Sequence, residues 1–428
     1  MDERSATEAK APLSLVASLR ANVTWTLLGN LALAGCQWGM LVAFAKFGDA
    51  RMVGEFGLGL AVTGPVFMFS NLQLASVLAT DAAGRNTFSE YFGVRVSTTL
   101  AALIASCVLA FAAYGGGTAA VVVAVAGSKA VESLSDIFHG LYQRRETMER
   151  IAKSMVLRGA LSLAAVMAGI RLFGTVVGAS VLVALVSAAV LIGFDLRNGA
   201  ALAGGFRAVV PSFRARRVAA LVRIAFPLGV VTMLISLTAN IPRYFLEAHG
   251  GPRELGIFVG LAYVVTAAST VVGAIGRAAT PRLANLHQAG EILAFRRLVR
   301  SLLLCAAALG ATGVLVASSA GHPILQVLYT PEFAPYAPAF ALVMLSGALG
   351  YAASMLGYAV TAARHFVVQI PLWIGVAAST LVGSAILVPR LGVTGGAWAL
   401  VLTAAVQVAC YGLLYSRYVL RPSHRSER

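Results

Sequence analysis

Lys129, Glu132, Asp136, His139 and Gln143 follow one another in steps of 3, 4, 3 and 4 residues within GSKAVESLSDIFHGLYQRRE, residues 127–146. On an α-helix these steps bring all five side chains to one face. Val125, Val131, Leu134 and Phe138 occupy the opposite face. A cation, two carboxylates, an imidazole and a carboxamide in one stripe can hydrogen-bond a polar or charged solute, or hand an ion along. They contain no nucleophile paired with a base, so the stripe points to binding rather than covalent chemistry. The run just before it, TAAVVVAVA (118–126), is apolar. Lys129 lies about 18 Å along the helix from Gly117, a little past the middle of a hydrocarbon layer of about 30 Å.

Charges facing lipid at that depth cost about 2.5–3.5 kcal/mol each, so three on one face would nearly cancel the insertion energy of the helix. Two arrangements avoid the cost. Lys129 and Glu132 can form an internal ion pair that joins helices, or the stripe can face a water-filled cavity open to the cytoplasm; the second is the expectation here. Polar residues in other apolar segments agree with it: Asn30 and Gln37; Asn71 and Gln73 beyond Pro65; and Asn240 with Arg243 in TANIPRYFLE. Pro242 lacks a backbone donor and is expected to bend or end its helix, presenting Asn240 and Arg243 near the outer mouth. Arg277 falls just inside the inner boundary of a later segment. Snorkelling to the head groups is the other explanation for Arg243 and Arg277. The predicted substrate-binding set is Lys129, Glu132, Asp136, Asn240, Arg243 and Arg277, with Glu132 and Asp136 also candidates for ion coupling.

The elements that must position these residues follow from composition. The 428 residues are 59% apolar and 12% charged, against about 25% charged in soluble domains. The apolar runs are too long and unbroken for barrel strands, so the fold class is all-α, a polytopic membrane protein. Twelve spans are predicted: 20–46, 54–76, 94–113, 118–139, 157–172, 175–196, 220–245, 255–280, 298–320, 336–360, 367–388 and 395–416. The first 19 residues are polar or mixed, and the apolar run after Arg20 is too long for a signal h-region, so no cleaved signal peptide is expected. Cys36, Cys107, Cys305 and Cys410 fall in apolar segments with neither zinc nor disulfide spacing.

Charge orients the spans. The net charge of +16 is spread between apolar segments rather than gathered in one patch, which argues against a nucleic-acid partner. Of the 33 Lys and Arg residues, 26 lie in the termini and the even-numbered connections, 6 in the odd-numbered ones, and Lys129 within a span. That asymmetry assigns both termini and the longer connections to the cytoplasm. The midpoint, residue 214, falls in the basic connection RAVVPSFRARRVAALVR, which suits either the anionic inner leaflet or plain solvent. GDARMVGEFGLGLAV after the first span and GGPRELGIFVGLAYV after the seventh share Arg, two residues, Gly, one residue, Phe. The expected organisation is therefore a parallel repeat about an axis normal to the membrane: a tail at 1–19, a six-helix bundle at 20–196, a basic linker at 197–219, a second six-helix bundle at 220–416 and a basic tail at 417–428.

The stretches KAVESLSDIFHGLYQRRETMERIAKSMVLRGALSL, NIPRYFLE, LGIF, TPRLANLHQAG and NLQLASVLATDA resemble those of Wzx-type oligosaccharide flippases, polysaccharide-biosynthesis members of the multidrug/oligosaccharidyl-lipid/polysaccharide exporter superfamily. The resemblance runs over nearly the whole chain. It implies a V-shaped pair of six-helix bundles around a central cationic cavity in the bacterial inner membrane. It also implies transfer of undecaprenyl-diphosphate-linked oligosaccharide to the outer leaflet by alternating access, without a cofactor or covalent catalysis. Implied partners are the lipid-linked substrate, membrane lipids, a polysaccharide polymerase and a chain-length regulator. Arg and Lys suit a diphosphate through charge-assisted hydrogen bonds, and Asn, Gln, Ser and carboxylates suit sugar hydroxyls.

Four rival readings remain, one of them a structural subunit of a polysaccharide assembly complex, which the charged stripe argues against. A drug/cation antiporter of the same superfamily commonly carries an acid in its first span, and residues 20–46 have none. The lipid II flippase branch usually has two further spans. A membrane polymerase or ligase of lipid-linked glycans usually exposes a large outer loop, whereas the longest here, GHPILQVLYTPEFAPY, holds only Glu332 and His322 as candidates.

Overall fold

The computed structural model describes residues 3–81, 86–363 and 368–419, and among these there is no β-strand. The helices are α1 (Glu3–Phe47), α2 (Ala50–Asn71), α3 (Leu74–Thr80), α4 (Phe88–Ala113), α5 (Gly116–Arg144), α6 (Met148–Phe173), α7 (Val176–Val190), α8 (Arg197–Ala203), α9 (Ala215–Gln288), α10 (Ile292–Leu328), α11 (Ala337–Ala362) and α12 (Gln369–Leu414). Helix starts carry local signals. Asp49 accepts the Met52 amide at α2, and Thr87 and Glu90 form a reciprocal capping box at α4.

Nine helices among the described residues are long and apolar enough to cross a membrane. α5 is not one of them, because its charged stripe interrupts the apolar window. Two of the nine, of 64 and 49 residues, would run about 96 and 74 Å if straight, far beyond one crossing. Each reverses at a glycine with positive φ, Gly251 (φ 70°) and Gly392 (φ 53°), where a side chain would be strained. In α12 the Thr380 and Thr403 hydroxyls meet at 2.8 Å across the turn. In α9, Leu246 and Phe258 from opposite sides of Gly251 both meet Gly396. Pro252 follows Gly251 in the first turn of the returning arm, where its missing N–H is tolerated. Splitting these two at their glycines and adding α5 gives twelve long helical segments among the described residues.

The two halves touch most extensively where α2 runs along both arms of α9. At the end of the molecule where connections are short, the contact is reciprocal. A Cβ on Gly54 would lie 1.7 Å from the Pro252 carbonyl oxygen, and a Cβ on Gly256 would lie 1.7 Å from that of Ala50. Ala50 and Gly54 stand in the first repeated fragment where Pro252 and Gly256 stand in the second. Such exchange of equivalent contacts is what a two-fold relation between halves produces. A continuous apolar core at this end joins both halves, from Phe44 and Val53 to Phe258 and Phe333. At the opposite end the cores separate, one around Tyr91, Phe138 and Tyr142, the other around Phe295, Tyr351 and Val376. The halves therefore share one core at the short-connection end and have separate cores at the other, where the first core also takes in Leu221 and Ala225 of α9, and Phe226 of α9 packs on Phe69 of α2.

Some boundaries differ from the sequence-based expectation. α1 already begins at Glu3, inside the stretch expected as a tail. The sixth crossing continues beyond residue 196 through a π-helical turn, Leu191–Leu196, into α8. Pro242 neither ends nor breaks α9, which runs on to the turn at Gly251. One missing donor is tolerated there because α2 packs along this arm.

Candidate functional site

α5 starts after Gly115 and presents all five residues of its polar stripe to one cavity of about 540 Å³. Lys129, Glu132, Asp136, His139 and Gln143 form one wall. α1 adds Thr26 and Asn30, α2 adds Asn71, and Gln73 and Ser76 line the break before and within α3. Leu72 and Gln73, at that break, both adopt the left-handed conformation (φ 49° and 52°). Non-glycine residues are rarely held there, and such outliers gather at binding sites. Gln143 and Met148 carry the cavity to the end of the molecule where the cores are separate. A smaller cavity of about 150 Å³ continues inward and shares Leu33, Lys129, Glu132 and Arg158 with the first. It ends at Tyr263 on the returning arm of α9, the second half's contribution to its wall.

The charges on these walls are paired and yet exposed to the cavity. Lys129 Nζ lies 2.7 Å from Glu132 Oε2, with the two side chains 26% and 37% exposed. The pair lies within α5, so it joins no helices, and both partners line the cavity. Asp136, its side chain 44% exposed, is held by Arg95 Nη2 of α4 at 2.8 Å, and Arg95 itself is fully enclosed. Arg95 Nη1 also donates to Asn71 Oδ1, which accepts from the Ser133 hydroxyl as well. Ser133 and Thr99 share a further hydrogen bond of 3.0 Å. On α6, Arg158 Nη2 is 3.8 Å from Asp195 Oδ2 and 3.3 Å from Ser154 Oγ. His139 Nε2 meets the same serine at 3.1 Å. Three cations therefore face three carboxylates in the first half. The resemblance implied a central, cationic cavity; this one lies mainly within the first half and is close to charge-balanced.

Arg243 supplies the excess positive charge. It stands beside Tyr263 and Tyr244, and its Nη1 donates to Asn240 Oδ1 at 3.0 Å. Among the described residues it has no carboxylate partner, and its buried Nε has no acceptor. Tyr263 also neighbours Lys129 and reaches Gln37 Oε1 at 3.4 Å. Lys129 and Tyr263 thus line the inner cavity from the two halves, while Arg243 lines neither cavity. Asn240 is buried against Gly64 of α2, and its Nδ2 is bonded to the Ser236 carbonyl. Arg277 is apart from this group. It is exposed beside Gly273 and Tyr358 in the second half, and lines neither cavity.

Sequence reasoning missed Arg95, Arg158, Asp195 and Tyr263. The three charged residues sit at or just inside the ends of predicted spans, where snorkelling is the usual explanation. The available signal was complementarity, because two arginines and an aspartate occupy nearly the depth at which the α5 stripe needs partners. Among the described residues, no group of three His, Cys, Asp or Glu is placed to hold a metal ion.

Residues 19–287 match the family described as polysaccharide biosynthesis protein. The chain belongs to that family. Over 400 residues it is 23% identical to a capsular polysaccharide biosynthesis protein, CapF, of Staphylococcus aureus, covering 92% of this chain and 99% of CapF. Its fold is similar to an inward-facing multidrug resistance MATE family transporter of the MOP superfamily, with a TM-score of 0.66 at 12% identity over 90% of this chain and 94% of the transporter. It is also similar to the lipid II flippase MurJ in an inward closed conformation, with a TM-score of 0.64 at 10% identity over 94% and 87% of the two chains. These likenesses establish a membrane-transporter fold for a polysaccharide biosynthesis protein.

Proposed function

We propose that this protein turns undecaprenyl-diphosphate-linked oligosaccharide from the inner to the outer leaflet of the bacterial inner membrane by alternating access, without catalysing a covalent step. The reading is supported by the inner cavity, where Lys129 and Glu132 of one half meet Tyr263 of the other, with the carboxylate-free Arg243 near that tyrosine though outside the cavity wall. A diphosphate there gains charge-assisted hydrogen bonds, while the lipid tail stays in the bilayer between the halves. The neutral hydrogen-bonding groups nearer the mouth, Asn30, Gln73, Ser76 and Gln143, suit sugar hydroxyls. A cavity of about 540 Å³ falls in the range of ligand sites and encloses the diphosphate with the first sugars, leaving a longer glycan to extend outward.

With the basic long connections on the cytoplasmic side, the end with separate cores and the cavity mouth faces the cytoplasm, which supports reading this shape as inward-facing. The bundles at 20–196 and 220–416 rock about the Gly54–Gly256 crossing, with 197–219 linking them and cytoplasmic tails at either end. Glu132 and Asp136, exposed to the cavity yet paired, are the groups through which a proton or cation drives the cycle. A polymerase and a chain-length regulator act on the product. The drug/cation antiporter reading is weaker, because α1 lines the cavities with Thr26, Asn30, Leu33 and Gln37 and no carboxylate.

The test is export of surface polysaccharide in cells that depend on this chain. Lys129→Ala and Arg243→Ala should abolish export at unchanged membrane levels, and Arg277→Ala should reduce it if Arg277 meets substrate in another state. Normal export by both Lys129→Ala and Arg243→Ala would refute the reading.

A further inference from the structure

The two cavities share four residues, Leu33, Lys129, Glu132 and Arg158. Lys129 and Glu132 satisfy each other at 2.7 Å. Arg158 is held differently. Its partner Asp195 is fully enclosed, yet the closest approach is 3.8 Å, beyond hydrogen-bonding distance. The Ser135 and Ser154 hydroxyls lie within electrostatic reach of the Asp195 carboxylate, but neither meets it with the distance and angle of a formed hydrogen bond. Arg158 Nε likewise has no acceptor. The remaining contacts of the guanidinium are long ones, to Ser154 Oγ at 3.3 Å and His139 Nε2 at 3.4 Å.

Buried charges that serve stability alone are normally hydrogen-bonded as well as paired, since an unbonded buried carboxylate carries a desolvation penalty that attraction at 3.8 Å only partly offsets. The π-helical turn Leu191–Leu196 holds Asp195 at this distance, and the Tyr142 hydroxyl pins its carbonyl at 2.8 Å. A π-helical turn inside an α-helix often marks a functional site. The arrangement leaves a guanidinium compensated in charge, unspent in hydrogen bonds, and lining the chamber.

We propose that Arg158 is a phosphate-binding residue of the transport site and that Asp195 is its displaceable counter-ion, a positioning residue that acts through Arg158. An entering phosphate or diphosphate takes the guanidinium's hydrogen bonds. The attraction to Asp195 lost in that exchange keeps the bound state weak enough to release its cargo. This rests on the flippase reading and adds to it a residue pair on α6 and the sixth crossing.

The test uses the full chain in nanodiscs of neutral phospholipid, with farnesyl diphosphate as probe and farnesol as its phosphate-free control. Wild type should bind the diphosphate and not the alcohol. Arg158→Ala should weaken binding roughly tenfold, the change expected from losing one charge-assisted contact, and Arg158→Lys should recover part of it. Asp195→Asn should tighten binding severalfold and slow turnover in a vesicle flipping assay, a split that a merely structural residue would not produce. In the double variant, Asp195→Asn should change nothing beyond Arg158→Ala. Phosphatidylglycerol that displaces the probe equally well would support the anion site and assign it to lipid head groups. Looser binding or no change in Asp195→Asn, or equal tightening with and without Arg158, would overturn this inference while leaving the flippase reading intact. If Asp195→Asn fails to fold, equal binding by wild type, Arg158→Ala and Arg158→Lys would overturn it. Wild type that ignores farnesyl diphosphate would sink both.

Discussion

The two halves share a plan and a reciprocal glycine crossing, but they differ in what they bury. The first half encloses Arg95 and the Arg158–Asp195 pair, and partly exposes Asp136 and the Lys129–Glu132 pair to its cavity. In the second half, the described ion pair is Arg253–Glu332, with Arg253 64% exposed. Apart from Arg243, which donates to Asn240, interior polar contacts described in this half are neutral, such as Thr380 with Thr403. One half therefore carries the chamber and its charged wall. The other closes over it with an apolar body, contributing Tyr263 to the wall with Arg243 beside that tyrosine. A repeat fixes backbone and symmetry without requiring both copies to keep the same side chains.

The comparison breaks first at the crossing. Gly54→Val and Gly256→Val each drive a side chain into a backbone carbonyl across the interface. Both should abolish export and leave the short-connection end unable to close, read as labelling of Gln37→Cys from outside the cell. Because the contact is reciprocal, the two should be equally severe; a mild Gly256→Val would show that the symmetry is not functional. Next comes the enclosed arginine. Arg95→Ala removes an enclosed guanidinium and its hydrogen bonds to Asp136 and Asn71 and should cost about 1.5–3 kcal/mol, visible as a fall in melting temperature in detergent. Arg253→Ala should cost under about 1 kcal/mol, since its pair is exposed. Equal losses would erase the distinction between the halves.

Lys129→Gln should separate stability from function. Its pair is partly exposed, so the melting temperature should move little, while export falls at least tenfold. The smallest effect belongs to the second half. Thr380 and Thr403 each bond a carbonyl of their own helix as well as each other. Thr380→Val with Thr403→Val should therefore change stability by about 1 kcal/mol or less and leave export intact.

Most of the helical plan was legible because hydrocarbon demands long apolar runs, and the α5 stripe was legible because charge in such a run needs a reason. The reversals at Gly251 and Gly392 were readable as short connections between spans. Pro242 misled, because tertiary packing along α2 outweighs one missing donor. The partners of the stripe were hidden for a different reason. Arg95, Arg158 and Asp195 lie near span ends, where a charge can reach water unaided, and only the packing of α4, α6 and the sixth crossing against α5 shows that they do not. The exposed position of Arg277 followed equally little from its sequence, since the direction in which a helix-end arginine points is set by its neighbours.

The central claim is that a wet, charge-lined chamber in the first half receives a phosphate-bearing head group from the cytoplasmic side. Lys129→Cys in a background lacking Cys36, Cys107, Cys305 and Cys410 tests it most directly. A membrane-impermeant thiol reagent applied to inside-out vesicles should label this cysteine, and added polyprenyl diphosphate should protect it. Failure to label from either side of the membrane, or labelling that the diphosphate leaves unchanged, would contradict the account.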